Sequence, residues 1–211
     1  MNIRALNMVK AEQVLRYWFG QLDNQLSKQS QTALWYQATE RIDQEITSQF
    51  HHLYQQALSQ PFSHWHDSAR GSLALVILFD QLPRNMYRGT AEAFLTDQEA
   101  LKAVKAGILL GFDDELALIE RIFYYHPFEH SEKLTDQEKS VELFTKLLTI
   151  YPDEIHQAVI QNAIDYAVEH LEIIKEFGRF PHRNKVLNRQ STVQEIEYLK
   201  SGNDFGQTTK V

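Results

Sequence analysis

Apolar residues recur along this chain at steps of three and four, the period of helices with one buried face, and only eight glycines and five prolines interrupt them. Ala11 to Phe19 predicts a first helix closed by Gly20. From about Ser30, the positions Leu34, Ala38, Ile42, Ile46, Phe50, Leu53, Tyr54, Ala57 and Leu58 form one stripe of a single long helix that must stop before Pro61. Gln37, Glu40, Arg41, Gln44, Glu45 and Gln49 lie on its solvated side. Ser68 to Leu82 holds the longest apolar run, the seven residues Leu73 to Phe79, which suits a buried strand or a buried helix. Helix is predicted, because a lone strand would leave its backbone groups unpaired in a helical chain. Apolar on every side, it belongs at the centre.

Three tetrads, Thr96-Asp-Gln-Glu99, Thr135-Asp-Gln-Glu138 and Thr192-Val-Gln-Glu195, match the capping box and predict helix starts before Ala100 to Leu110, Lys139 to Ile150 and Ile196 to Lys200. A shorter helix is expected over about Asp113 to Tyr124, and a long one from Pro152 to Phe177, ended by Gly178. The whole predicts an all-α domain of about eight helices, stacked helical hairpins or an irregular bundle, over residues 1–200, with a polar tail at 201–211 expected to fray. No regular 34-residue repeat is visible.

Composition narrows the chemistry. The absence of cysteine excludes disulfides, thiolate metal sites, iron–sulfur clusters and thiol nucleophiles. A formal charge of −7 opposes wholesale nucleic-acid binding. No run approaches the ~18 apolar residues of a membrane span, and Met1 to Lys10 lacks the apolar core of a signal peptide, so a cytoplasmic, membrane-free protein is expected. Neither a nucleophile elbow nor a Gly-rich phosphate loop is present, and the residues imply no cofactor and no metal ion.

Two segments echo each other. Phe79-Asp80-Gln81-Leu82-Pro83-Arg84-Asn85 and Phe177-Gly178-Arg179-Phe180-Pro181-His182-Arg183-Asn184 each leave a buried helix through phenylalanine, turn at proline and present basic residues and an asparagine. Both are expected to be loops. Cations at helix ends cap carbonyls, but six basic side chains exceed that need, and guanidinium forks suit carboxylate or phosphate. The structural counterpart is a network pairing them with Asp80, Asp97, Glu129 and Glu132. Asp80, near the end of the most apolar helix, needs a cation partner; failing that, it is an acid/base carboxylate. His126-Pro-Phe-Glu129-His130 fits the H-x-x-E-H pattern of one class of zinc peptidases, but Pro127 is expected to push His126 out of helical geometry and leave the segment in a turn. Glu129 and His130 remain as a pair able to orient an imidazole. His170, on an inward helix face, is expected to be a core histidine.

Several of these motifs together resemble the bacterial family known as domain of unknown function 924. They are Asp80-Gln-Leu-Pro-Arg-Asn85, Tyr87-Arg-Gly89 with Phe94 and Asp97, Pro127-Phe-Glu-His-Ser-Glu132, Gly178-Arg-Phe-Pro-His-Arg-Asn184, and Arg189 with Ser191-Thr192. The resemblance runs from Val14-Leu-Arg-Tyr-Trp-Phe19 to Tyr198-Leu199. It implies a tetratricopeptide-like helical fold and a map of polar motif positions, without a reaction. Ser131 belongs to that map, His126 lies outside it, and Asn188 stands where the pattern usually has glycine.

The expected site is a concave recess where these segments meet and bind a small anionic molecule, phosphate- or carboxylate-bearing, through Arg84, Arg179 and Arg183. Any reaction would use His130 or His182 as proton carrier, oriented by Asp80 or Glu129. Gln81, Asn85, Arg88, Asp97, Glu132 and Asn184 complete the ligand-binding set. The reading from another class is an interaction scaffold whose groove clamps a peptide. Local RNA contact through Arg179 to Arg189 is opposed by the surrounding negative charge.

Overall fold

The computed structural model describes residues 3–37, 39–59 and 62–207. Ala38, Pro61 and residues 208–211, to which the sequence assigns a stripe position, a helix stop and the end of the tail, lie outside them. The fold is all-α apart from one tiny hairpin. Helix α1 (Ile3–Phe19) ends at Gly20 and is followed by strands β1 (Leu22–Asp23) and β2 (Leu26–Ser27), paired antiparallel with Leu22 opposite Ser27. Asn24 and Gln25 make the two-residue turn with φ of 44° and 69°.

The predicted long helix from Ser30 is two helices, α2 (Thr32–Tyr36) and α3 (Glu40–Ser59). Gln37 between them is extended, with φ −99° and ψ 101°. Trp35 decides the break: its Nε1 donates to the Trp18 carbonyl at 2.9 Å and its ring lies 4.7 Å from that of Phe123. One straight helix could not both dock this indole and lay Ile42, Ile46, Phe50 and Tyr54 against the core.

The apolar segment is the predicted central helix, but not a simple one. Helix α4 (Ala69–Val76), capped by Ser68, runs into a π-helical turn at Ile77–Gln81 and then α5 (Leu82–Met86). Arg84 and Asn85 therefore sit in helix, not in the expected loop. Pro83 falls in the first turn of α5, where its missing N–H breaks no intrahelical bond. Around this axis pack α1, α6 (Asp97–Leu109) and α7 (Leu118–Glu129). Helix α8 (Leu134–Ile150) joins α7 to α9 (Glu154–Phe177), and α10 (Val193–Tyr198) follows.

Of the three predicted capping boxes, Thr192 with Glu195 forms: the hydroxyl accepts from the Glu195 N–H at 3.2 Å and the carboxylate from the Thr192 N–H at 2.7 Å. Thr96 instead donates its hydroxyl to the Phe79 carbonyl at 2.6 Å, tying α6 to the π turn. Thr135 lies inside α8, which starts at Leu134. The turn predicted around Pro127 is also absent, because α7 continues through the proline to Glu129. Proline there forfeits the N–H that would reach the Phe123 carbonyl, but burial of Tyr124, Tyr125 and Phe128 on the same turn, worth about 2 kcal/mol or more apiece, outweighs the loss. Gly178, at φ 68°, ends α9 as expected. No helix among the described residues is long and apolar enough to cross a membrane.

Candidate functional site

The π turn positions the first two polar groups. Consecutive residues of a regular α-helix point about 100° apart, yet Asp80 and Gln81 both reach α7 because the wider turn changes the phase. Asp80, fully buried, accepts from His130 Nδ1–H at 2.7 Å. Gln81 Nε2 donates to the other Asp80 oxygen at 2.5 Å and to His126 Nδ1 at 3.2 Å. His126 and His130, one turn apart at the end of α7, share a face with ring centres 5.7 Å apart, a consequence of the helix surviving Pro127.

Behind this layer lies a paired charge cluster. Arg84 Nη2 is 3.0 Å from Asp97 and 3.5 Å from Asp80, while its Nη1 donates to the Ala93 carbonyl at 3.0 Å. Arg183 Nη1 is 3.4 Å from the second Asp97 oxygen, and its guanidinium lies between the rings of Phe94 and Phe180, 4.6 and 4.4 Å from their centres. Burial works against the Arg84 charge, but Asp97 and Asp80 hold its pKa above the ordinary value. Burial pushes Asp97 up against the pull of the two arginines, and Arg183 down to about 10.

The ionisation pattern is dominated by burial. It lowers His126 and His170 to about 3 and His182 to about 2, takes His130 well below its usual value, and raises Glu129 to about 8. At neutral pH the four imidazoles are neutral and the Glu129 carboxyl is largely protonated. Asp80 accepts from His130 Nδ1, and the Tyr166 carbonyl accepts from His170 Nδ1 at 2.8 Å, so each ring keeps its lone pair on Nε2.

These groups form one wall of a cavity of about 300 Å³. Gln81, Arg84, His126, Glu129, His130 and His170 make its polar side, and Trp18, Leu34, Trp35, Ile119, Ile122 and Val159 its apolar side. Asn203, Phe205, Gly206 and Gln207 lie along the rim, where Arg88 donates to the Gly206 carbonyl and Phe205, at φ 51°, stacks on His170 at 3.9 Å. Two polar atoms of the lining, Trp18 Nε1 and Gln207 Oε1, are buried without a hydrogen bond inside the described chain.

Of the residues singled out in the sequence, Gln81, Arg84, Asn85, Arg88, Glu129 and His130 reach the cavity wall. Asp80, Asp97 and Arg183 stand behind it. Asn85 and Arg88 are also held by Asp43, at 2.9 and 2.7 Å. The others lie elsewhere. Arg179 forks onto Glu195, Glu132 accepts from Arg189 and from the Phe180 N–H, Asn184 donates to Ser191, and His182 packs beside Phe180 and Phe205. That group braces the loop after α9, where Asn188 adopts φ 52°, a conformation that glycine takes freely and asparagine tolerates. The two echoing segments thus differ in form, one helical and one a loop with a short 3₁₀ turn at Pro181–Arg183. Sequence reasoning passed over His126, His170 and Trp35 as lining groups. The i, i+4 spacing of His126 and His130 was the available signal, and the helix-breaking reputation of proline concealed it.

Among curated proteins none matches this chain. A solved structure of a protein of unknown function from Agrobacterium tumefaciens is similar, at 30% identity and a TM-score of 0.77, over 93% of this chain and 99% of that one. The family model described as bacterial protein of unknown function (DUF924) matches residues 14–203, a span that contains every cavity-lining residue except those at the very end of the rim. The chain therefore belongs to the DUF924 family of bacterial proteins.

Proposed function

We propose that the cavity binds a small organic molecule with a flat apolar body and a phosphate or carboxylate head. The observation that carries this reading is the two-sided lining: indoles and aliphatic side chains face a wall of Gln81, Arg84 and histidines, and Trp18 Nε1 has no hydrogen-bond partner among the described residues. Buried polar atoms on a cavity wall are normally satisfied, so such atoms supply specificity to a bound molecule. A volume of about 300 Å³ suits a molecule of roughly a dozen heavy atoms, which favours this reading over a scaffold that clamps a peptide. Asp80 fixes the ring of His130 and directs its lone pair to Nε2, toward the cavity wall's other polar groups.

The test uses phenyl phosphate, with phenol as its uncharged counterpart, on the full chain as purified. Trp18 and Trp35 both line the cavity, so binding is read from tryptophan fluorescence. Saturable quenching by phenyl phosphate, at least tenfold tighter than by phenol and weakened at least tenfold in Gln81→Leu, is expected. No saturable quenching by either probe, or equal affinity for the two, sinks the reading.

A further inference from the structure

We infer that Glu129, His130 and His170 form a site for one divalent transition-metal ion of the zinc or cobalt class, with its open coordination position facing the cavity. The inference deepens the pocket reading and rests on it for the fourth ligand. One donor atom from each of the three residues lies within 4.8 Å of the other two. Metal bonds of about 2.0–2.1 Å place tetrahedral ligands about 3.4 Å apart, so side-chain rotations on the order of 1 Å close the set. Glu129 and His130 end α7, and His170 is presented by α9, which packs against α7. Such elements hold ligands better than loops do.

The outer shell fits the same purpose. A metal-binding imidazole normally donates its remote N–H to a carboxylate or a carbonyl, which fixes both the tautomer and the ring plane. His130 donates to the fully buried Asp80 at 2.7 Å and His170 to the Tyr166 carbonyl at 2.8 Å. Neither ring makes a second hydrogen bond among the described residues, although His170 Nδ1 also lies 3.5 Å from Glu129 Oε1, so coordination through Nε2 requires the Glu129 carboxylate to swing across the ring edge. Two imidazoles and a carboxylate are the set used where a metal keeps a position open for water or substrate. This is not the H-x-x-E-H arrangement, in which both motif histidines are ligands: His126 Nδ1 accepts from Gln81 and lies outside the cluster.

Charge supplies the third argument. Asp80 and Asp97 face Arg84 and Arg183 with equal and opposite charge, so Glu129, ionised as a ligand, leaves one negative charge. A divalent ion turns this into one positive charge, balanced by a hydroxide or by the anionic head of a bound molecule. Arg84 and Arg183 are already engaged by carboxylates, so the ion supplies the unmatched attraction for an anion.

Chelator-stripped full-length protein is titrated with cobalt(II) and followed by visible d–d absorption, with circular dichroism confirming that each variant is folded. One equivalent bound at micromolar affinity or tighter is expected, with at least tenfold weaker uptake in Glu129→Gln and in His170→Asn. Asp80→Asn keeps all three ligands and is expected to weaken uptake by about 10–100-fold, whereas His182→Asn leaves it within threefold. Cobalt-shifted N–H resonances from two imidazoles identify the ligands in the wild-type protein, even where a variant does not fold. Phenyl phosphate binding is expected to weaken at least tenfold in chelator and to recover with cobalt. Absence of stoichiometric uptake, or uptake unchanged in both ligand variants, overturns the metal site. Phenyl phosphate bound equally well in chelator, without cobalt uptake, does the same and leaves the pocket reading standing. Cobalt uptake with no phenyl phosphate bound under any condition upholds the metal site and ends the pocket reading.

Discussion

Asp97 opens α6 between two buried guanidiniums, Arg84 Nη2 at 3.0 Å and Arg183 Nη1 at 3.4 Å, and replacing it by asparagine keeps the shape while removing the charge. At an effective dielectric constant of about 20, each pair at such distances attracts by about 5 kcal/mol before desolvation is counted. The two arginines are left differently. Arg84 retains Asp80 at 3.5 Å and the Ala93 carbonyl, whereas Arg183, with a side chain only 7% exposed, retains no carboxylate within ion-pair distance among the described residues. Removing one partner of a buried pair costs about 3–5 kcal/mol, mostly the price of the stranded charge, and Asp97→Asn is expected to lose that much. Glu99→Gln, two residues further along α6, breaks only a solvent-exposed pair with Lys102, whose side chains are 55% and 69% exposed, and is expected to lose under about 0.5 kcal/mol. Urea unfolding followed by fluorescence and circular dichroism reads both, provided the slope is unchanged. The double variant Asp97→Asn with Arg183→Met removes the stranded charge as well, so it should cost less than the sum of the single losses by at least about 1.5 kcal/mol. A loss below about 1 kcal/mol for Asp97→Asn, or strict additivity in the double variant, refutes the account of this cluster as mutually compensating.

Further outcomes follow from single contacts. In Gly107→Ala the new methyl would overlap the Tyr124 hydroxyl, itself 2.6 Å from Ser72 Oγ, so a net loss of about 2–4 kcal/mol in urea is expected despite a gain of up to about 1 kcal/mol in helix propensity; equal or higher stability would disprove the clash. Burial, followed by repulsion from Arg183 and His170, lowers His182 to about 2, so its stabilising contribution is complete above pH 6.5 and declines as pH falls toward 2. Stability measured from pH 6.5 to 5 should therefore drop by up to about 2 kcal/mol on account of this residue, and His182→Asn should flatten that slope; an unchanged slope would show His182 to be protonated in the native protein.

The helical character of this chain is written in local terms. Apolar spacing of three and four, Gly20 and Gly178 as stops, and the Thr192–Glu195 box each involve residues within a few positions of one another, and each appears in the fold as expected. The family motifs likewise mark Asp80, Gln81, Arg84 and His130 as polar positions from local sequence alone. Tertiary structure decided the rest, since the competing energies came from distant partners. Trp35 broke the long helix because the Trp18 carbonyl, seventeen positions earlier, offered it a hydrogen bond. Thr96 left its capping role for the Phe79 carbonyl, and Pro127 stayed helical because the turn that carries it is buried. The site followed from these exceptions: α7 continuing to Glu129 aligned His126 with His130, the π turn brought Asp80 and Gln81 to them, and α9 supplied His170. A sequence records which side chains are able to pair, but the pairing itself depends on which burial and which long-range hydrogen bond prevails when local preferences conflict.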